Sequence, residues 1–384
     1  MAELYGIMFW GLEKRRRRMD IGQRLKIARE AIGYTLEEAE QKSGIGKSSL
    51  SEFENAKREP KFSQLSRLAE VYKRTIEFFF ADEPPIENIM LWRDAPNTEE
   101  KVKETETEFQ QLCQQYHKLE VLTGEVKRVA LPHADVTKTE DFDFRQAELF
   151  AKYVRDSFRL GDIPIASLKR RLEEVYYIKI FYLDFAGSAI SIVSEEFGPA
   201  ILLNGKNKQW RRSYDLAHEL FHLLTWGVFR SETKEVSEYE EKLADAFASR
   251  LLMPEEYIND RVKSSTDDEG QISFDQLDDI ARELDVSLVA LIYRIASIYR
   301  FKKEETAKYI KATEQYLKFL KPRESYKPNK LPERYYDLAQ RALREGKLSL
   351  MQFAKYMGIS YRKAHEYLVE DEDFKDEKVS ISFA

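Results

Sequence analysis

The sequence has 384 residues, of which 43% are hydrophobic and 34% are charged. A chain of this length can bury sizeable cores in two or three domains, and a formal net charge of −6 gives no global reason to bind nucleic acid. No apolar stretch is long enough to span a membrane, and one cysteine with no secretory leader predicts a cytoplasmic protein without disulfides.

The first residues include the run GLEKRRRRM, which ends at Met19. A purine-rich ribosome-binding site would encode such a run of arginines if it were translated. We therefore expect the protein to start at Met19, with residues 1–18 a mis-assigned start or a tail. A basic arm is the alternative.

Residues 19–82 read as a string of short amphipathic helices, namely GQRLKIAREAIG, TLEEAEQKSG, GKSSLSEFEN, SQLSRLAEVYKR and TIEFFF. Gly44 supplies the turn between the second and third helices, and Leu50 and Phe53 are the apolar contacts of the third. This pattern resembles the Cro/repressor-like (XRE) helix-turn-helix domain, in which the third helix reads DNA.

By that resemblance the recognition helix is about residues 47–54. The residues expected to contact DNA are Lys47, Ser48, Ser49 and Ser51 at the bases, and Asn55, Lys57 and Arg58 near phosphates. The sequence departs from the pattern at Glu40, at Glu52 and at Ala56, which replaces a usual glycine. Residues 19–80 carry 11 Lys and Arg against 10 Asp and Glu, which predicts weak or dimer-dependent binding to double-stranded DNA. Protein docking or homodimerisation is the alternative role.

Pro84 and Pro85 mark the end of the first domain, and residues 83–140 read as a helical linker. Within it, residues 97–125 predict one long charged helix. Its apolar stripe has heptad-like spacing, with Val102, Thr105, Phe109, Leu112, Tyr116 and Leu119. Because the stripe covers fewer than four heptads, we expect it to pack against its own domain rather than form a free coiled coil.

A metal-binding pattern follows in the run SYDLAHELFHLL, where His218, Glu219 and His222 form an HExxH motif. Residues four apart share a helix face, so both imidazoles can bind one Zn²⁺ while Glu219 acts as the base for the attacking water. The preceding run GPAILLN predicts a strand, and Ser213 is the expected N-cap of the motif helix.

A second helix, EYEEKLADAFASRLLMP, is stopped by Pro254 and offers the third ligand. Among Glu238, Glu240, Glu241 and Asp245, the spacing favours Glu241, since small alanines one and two turns further on allow close helix approach. Asp245 is expected to accept a hydrogen bond from a ligand histidine. A two-histidine, one-carboxylate set also suits Fe(II), although HExxH on a helix favours zinc.

The zinc motif and the stretch ExxAxxFAxxLLMP, residues 241–254, resemble the ImmA/IrrE metallo-endopeptidases, and the likeness covers residues 141–300. The resemblance implies an α+β zincin-like domain with a small sheet and supports Glu241 as the third zinc ligand. Phe221 stands where the family often has Gly, and Asp245 where it often has Asn. A side chain as large as Phe221 predicts a more crowded site.

Two later segments, at residues 274–295 and 348–368, also have the pattern of a helix-turn-helix. We expect the first, in which Asp285 replaces the turn glycine, to be structural. Residues 301–332 predict a helix and a linker whose last part, 321–332, is a loop. Residues 333–384 predict a C-terminal helical accessory domain suited to a protein contact rather than DNA, because an acidic tail follows it.

The sequence therefore predicts a multidomain, mainly α protein that joins a helix-turn-helix domain to a gluzincin-like endopeptidase. The favoured function is cleavage of a specific protein, a transcriptional repressor, to control stress-response or mobile-element genes. Two alternatives remain. One is a DNA-binding regulator whose zinc domain is sensory or structural. The other is an antitoxin-like interaction protein that holds a partner.

Overall fold

The computed structural model describes residues 19–81, 88–230, 233, 235–321 and 323–374. The expected tail or mis-assigned start, residues 1–18, lies outside this part. The described chain divides into two compact units. The N-terminal unit contains residues 19–81 and 98–111, and the C-terminal unit contains residues 88–97 and those from 112 onwards.

Five short helices build most of the N-terminal unit. They are α1 (Ile21–Ala31), α2 (Leu36–Ser43), α3 (Lys47–Glu54), α4 (Phe62–Val71) and α5 (Ile76–Phe80). The side chains of Asp20 and Thr35 cap the first two helices through complete capping boxes. Leu50 and Phe53 are buried in the core, as the apolar pattern predicts. Arg29 of α1 binds Glu54 through two hydrogen bonds of 2.6 and 2.8 Å, which fixes the end of α3.

Each of the four turns between these helices contains a left-handed residue, and two of these residues, Gly44 and Ala56, flank α3. Gly44 follows α2 with a φ of 66°, a conformation that glycine adopts without the steric cost of a Cβ. Ala56 has a φ of 54° after α3, so the alanine adopts the backbone conformation that the usual glycine would have. The helix-turn-helix geometry is thus retained despite this substitution.

The C-terminal unit contains the remaining elements, apart from the first part of α6. They are β1 (Met90–Arg93), α6 (Glu99–Thr123), the 3-10 turn Thr139–Asp141, α7 (Phe144–Phe158), α8 (Ile165–Glu174), β2 (Lys179–Leu183), β3 (Ala189–Ser194), β4 (Gly198–Asn204), α9 (Gln209–Leu224), α10 (Trp226–Phe229), α11 (Glu238–Leu252), α12 (Glu255–Ser265), α13 (Phe274–Glu283), α14 (Leu288–Ile298), α15 (Lys303–Leu317), α16 (Glu333–Arg344), α17 (Leu350–Met357) and α18 (Tyr361–Phe374). Among the described residues, no helix combines the length and apolar character that crossing a membrane requires.

A four-stranded sheet with the order β1-β3-β4-β2 is the only sheet in the described part of the chain. Strand β3 runs antiparallel to β1 and β4, whereas β2 and β4 are parallel. The predicted strand GPAILLN is β4, which leads directly into α9. The predicted N-cap Ser213 is wrong, because α9 already begins after Lys208 and the Ser213 hydroxyl instead donates to Asp285.

The predicted long helix is α6, and its second half packs within the C-terminal unit, where Tyr116 contacts Phe181 and Tyr335 edge to face. The assignment of residues 83–140 to a linker differs from the structure at β1, which pairs with β3 as a sheet edge. A four-residue strand flanked by prolines and charges gives too short an alternating pattern to be recognised in the sequence.

The part of the predicted loop that the structure describes from residue 323 to 332 lies along the other sheet edge. The backbone N–H of Tyr182 in β2 donates to the Lys330 carbonyl over 3.0 Å, and Arg212 of α9 donates to the Tyr326 carbonyl over 2.6 Å. The loop therefore covers an edge strand and also holds the first turn of α9, the helix that carries the metal motif.

We expect Gly22→Ala to destabilise the N-terminal unit. A Cβ at position 22 would lie 2.3 Å from the Phe53 carbonyl oxygen, so α1 and α3 would have to move apart, at a cost of about 1–3 kcal/mol. Urea denaturation followed by circular dichroism measures the loss. Gly46→Ala is the matched control, because its Cβ would meet only Glu40 at 3.7 Å. Equal midpoints for the two variants would contradict the close packing of α1 on α3.

Candidate metal centre and nucleic-acid interface

The two helices predicted to carry the metal ligands pack against each other in the C-terminal unit. His218, Glu219 and His222 lie on α9, and Glu241 lies near the start of α11. Ala244 and Ala248 of α11 are fully buried, and such small residues let two helices approach closely. The Ser237 side chain caps α11 and sets where its first turn begins.

The three predicted ligands converge on one point. Their donor atoms all lie within 4.8 Å of one another. The Nε2 atoms of His218 and His222 are 3.3 Å apart, and they lie 3.2 and 3.5 Å from the two carboxylate oxygens of Glu241. Two imidazole nitrogens and one carboxylate match the donor set of catalytic zinc, which leaves a fourth position for water or substrate.

Each histidine has a carboxylate partner on its other ring nitrogen. His218 Nδ1 lies 2.9 Å from Asp245 Oδ1, as the sequence predicts. His222 Nδ1 lies 3.0 Å from Glu240 Oε1, and the buried Arg230 side chain binds the other oxygen of Glu240. Glu240 is therefore not a third ligand candidate but the partner of the second histidine. Such partners hold a ligand histidine in the tautomer that leaves Nε2 free.

The ionisation of His222 and Glu241 is coupled. Burial lowers the pKa of the His222 imidazole, but its hydrogen bonds to Glu240 and Glu241 outweigh burial and raise that pKa to about 9. Burial likewise raises the pKa of Glu241, yet the bonds from both histidines hold it well below its ordinary value. A metal ion at Nε2 would take the place of the proton that this pair shares.

Glu219 directly follows His218 on α9, three residues before His222, and is 1% exposed. Both of its carboxylate oxygens are buried without a hydrogen-bond partner among the described residues. Buried carboxylates are normally paired or hydrogen-bonded, so two open oxygens beside a three-donor set fit a group that accepts a proton from a bound molecule.

Phe221, the residue expected to crowd the site, lies edge to face against the ring of the candidate ligand His222, with centroids 5.7 Å apart. The Phe221 ring is fully buried and also packs against Phe142 and Phe247, at centroid separations of 5.6 Å each. Nearby tyrosines are also engaged elsewhere: the Tyr214 hydroxyl donates to the Asp245 carbonyl, and the Tyr257 hydroxyl donates to Glu283.

Two further residues beside the ligands were missed from the sequence. Arg93 of β1 binds both Asp215 of α9 and Asp245 of α11. Asp215 is fully buried, and burial raises its pKa to about 6 although Arg93 and Arg211 act against it. Nothing in the local spacing pointed to Arg93, because the sheet brings it to the site from far upstream.

The seven residues expected to contact DNA lie on or just after α3 of the N-terminal unit. Lys47 pairs with Glu37, Asn55 donates to the Ser51 carbonyl over 2.7 Å, and Arg58 lies 3.3 Å from Glu52. Glu52, the acidic residue on the predicted recognition helix, therefore has the cation of Arg58 beside it. Ser48 and Lys57 are exposed, whereas Ser49 and Ser51 are half-buried.

Comparison with known proteins agrees with this architecture. Residues 173–296 match the M78 peptidase family model, described as the IrrE N-terminal-like domain, and residues 25–79 match a helix-turn-helix model. The HTH-type transcriptional regulator ImmR of Bacillus subtilis (strain 168) is 38% identical over 60 residues, which are 16% of this chain. The matched part spans about half of that relative, 47% of its length.

We expect Glu240→Ala to destabilise the C-terminal unit, because it leaves the buried Arg230 guanidinium without its carboxylate. Removing one partner of a buried ion pair costs about 3–5 kcal/mol. Chemical denaturation of the metal-free protein measures this loss. Glu238→Ala on the same helix turn is the control, since Glu238 is 85% exposed and its one ion pair with a described residue is with Lys242. If the two variants share one denaturation midpoint, the buried pair does not hold α11 in place.

Proposed function

Because the chain joins an IrrE N-terminal-like domain to a helix-turn-helix domain, we propose that it is a DNA-binding regulator with its own Zn²⁺-dependent endopeptidase. Its substrate is a specific protein, a transcriptional repressor. Cleavage of that repressor switches on stress-response or mobile-element genes. Binding to double-stranded DNA brings the enzyme to the complexes in which the repressor acts.

His218, His222 and Glu241 hold the zinc ion in this proposal, and Asp245 and Glu240 orient the two histidines. When bound, Zn²⁺ supplies Lewis acidity, which polarises the scissile carbonyl and lowers the pKa of water towards about 7. A purely structural zinc would have four protein ligands and would need no free carboxylate beside it.

Glu219 moves the proton. Its open carboxylate oxygens accept a proton from the attacking water and then deliver it to the nitrogen of the leaving amine. The observation that carries the proposal is a buried carboxylate that has no hydrogen-bond partner in the described chain and lies next to three converging donor atoms. The chain's one cysteine, Cys113, is buried, and burial raises its pKa well above the ordinary value, so we assign no role to a thiolate nucleophile.

We expect Glu219→Gln to retain zinc and to lose cleavage, because the amide cannot accept the proton. The test incubates the full-length protein with the regulators encoded beside its gene and follows them by mass spectrometry, with the zinc content of wild type and variant matched. A discrete cut made only by the wild type would support the proposal and identify the substrate.

Two other outcomes count against it. If the zinc-loaded Glu219→Gln protein cuts the same bond, the role of Glu219 as the base is wrong. If neither protein cuts any of these regulators, the alternative of a sensory or structural zinc domain is favoured.

A substitution at Lys57 of the N-terminal unit tests the proposed binding to DNA. The lysine side chain is exposed and makes no ion pair among the described residues, so it can meet a phosphate without breaking an internal contact. We expect Lys57→Ala to weaken binding to duplex DNA at low salt and to reduce the slope of log affinity against log salt by about 1. Fluorescence anisotropy with labelled DNA measures both.

The control is Lys26→Ala, which removes an exposed lysine of α1 that pairs with Glu30 on its own helix. An equal loss for Lys26→Ala would indicate a general charge effect rather than a contact beside α3. A protein that shows no affinity for any duplex would favour the protein-docking alternative.

A further inference from the structure

One arginine from outside the matched peptidase region reaches both helices of the candidate metal centre. Arg93 ends β1, and its Nε lies 3.1 Å from Asp215 Oδ1 on α9, while its Nη2 lies 2.9 Å from Asp245 Oδ1 on α11. Its guanidinium also lies over the Tyr214 ring, 5.4 Å from the centroid. A single side chain therefore connects the sheet edge to the two helices that carry the ligands.

The contact with Asp245 bears directly on a ligand. The same oxygen, Asp245 Oδ1, lies 2.9 Å from both His218 Nδ1 and Arg93 Nη2. Asp245 is half exposed, so without a second contact its carboxylate could rotate into water and leave the imidazole unheld. The planar guanidinium can hold two carboxylates at fixed angles, which a flexible ammonium cannot do.

The charge of Arg93 also matters for two buried carboxylates. Asp215 and Glu219 lie one turn apart on α9 and are 0% and 1% exposed. Two buried like charges at this spacing repel each other, and a cation beside them offsets that cost. Arg93 pairs with Asp215, which Arg211 also binds over 3.0 Å. Burial lowers the pKa of Arg93, but the carboxylates of Asp245, Asp215 and Glu219 outweigh burial and raise that pKa.

The Nη1 atom of Arg93 is buried without a hydrogen-bond partner in the described part of the chain, as are both oxygens of Glu219. These unsatisfied atoms carry opposite charges and belong to residues beside the same set of candidate metal donors.

We propose that Arg93 is a positioning residue of the metal centre: through Asp245 it holds His218 in the orientation that binds metal, and its charge keeps Asp215 and Glu219 buried side by side. The proposal rests on the proposed function for its chemistry. Its first consequence is metal affinity, which can be measured without any substrate.

The test compares Arg93→Met and Arg93→Lys with the wild type. Zinc affinity is measured by competition with a chromophoric chelator, and the ligand field by the visible spectrum of the Co²⁺-loaded protein. We expect Arg93→Met to weaken zinc binding about 10–100-fold, as loss of an outer partner of a ligand histidine does, and to alter the cobalt spectrum. Arg93→Lys should recover part of the affinity, because it restores the charge but not the bridge.

Arg261→Met is the matched control, since it removes an arginine–carboxylate pair with Glu283 elsewhere in the same unit. It should leave zinc affinity and the cobalt spectrum unchanged. A thermal melt of each metal-free variant reports whether the unit is still folded. If Arg93→Met does not fold, Arg93→Lys and Asp245→Asn take its place, and each must weaken zinc binding.

A double-mutant cycle tests the route through Asp245. In the Asp245→Asn background, Arg93→Met should cost much less zinc affinity than it does alone, because the two residues act as one unit. Additive losses, or a folded Arg93→Met protein with wild-type zinc affinity and cobalt spectrum, would overturn the proposal. A wild type that binds zinc but cuts no protein would overturn the proposed function and leave the role of Arg93 in metal binding intact.

Discussion

An isolated charge in a protein interior costs several kcal/mol, so most buried charged side chains of the C-terminal unit are paired, and Glu219 stands out among the described residues because it is not. Several of these pairs join distant segments. Glu120 of α6 binds Lys179 of β2 over 3.0 Å and Arg334 of α16 over 2.6 Å. These contacts tie the long helix, the sheet and the C-terminal helices to one buried carboxylate. The same rule places the residues around the metal ligands.

Each of the two candidate ligand histidines contacts a carboxylate that is itself bound by an arginine, but the two carboxylate–arginine pairs differ in exposure. The Glu240–Arg230 pair behind His222 is almost fully buried, with side chains 2% and 3% exposed. The pair behind His218 is more open, since Asp245 is 50% exposed and Arg93 is 10% exposed. Water competes less for the hydrogen bonds of a buried pair than for those of an exposed pair. We therefore infer that the His222 ring is held more firmly than the His218 ring.

The sequence predicted what is local and periodic. The strand before the motif, the face shared by His218 and His222 and the length of α6 all follow from spacings within single elements. Glu240 and Glu241 are adjacent, and their different contacts depend on how α11 is rotated against α9. The spacing in the sequence predicted Glu241 as a ligand, but it did not predict Glu240 as the partner of His222. Arg93 could not be found at all, because its position depends on how β1 pairs with β3. The helix start was misplaced since Ser213 is a good capping residue that is used for a tertiary contact instead.

The place of β1 in the chain matters for any fragment cut at the ends of the peptidase match. The strand lies between two stretches of the N-terminal unit, residues 19–81 and 98–111, yet its hydrogen bonds are made in the C-terminal unit. A gene fragment bounded by the peptidase match at residues 173–296 would encode the three ligands but lack the edge strand and its arginine. A fragment with that boundary would therefore carry the three candidate ligands without the arginine that binds Asp215 and Asp245.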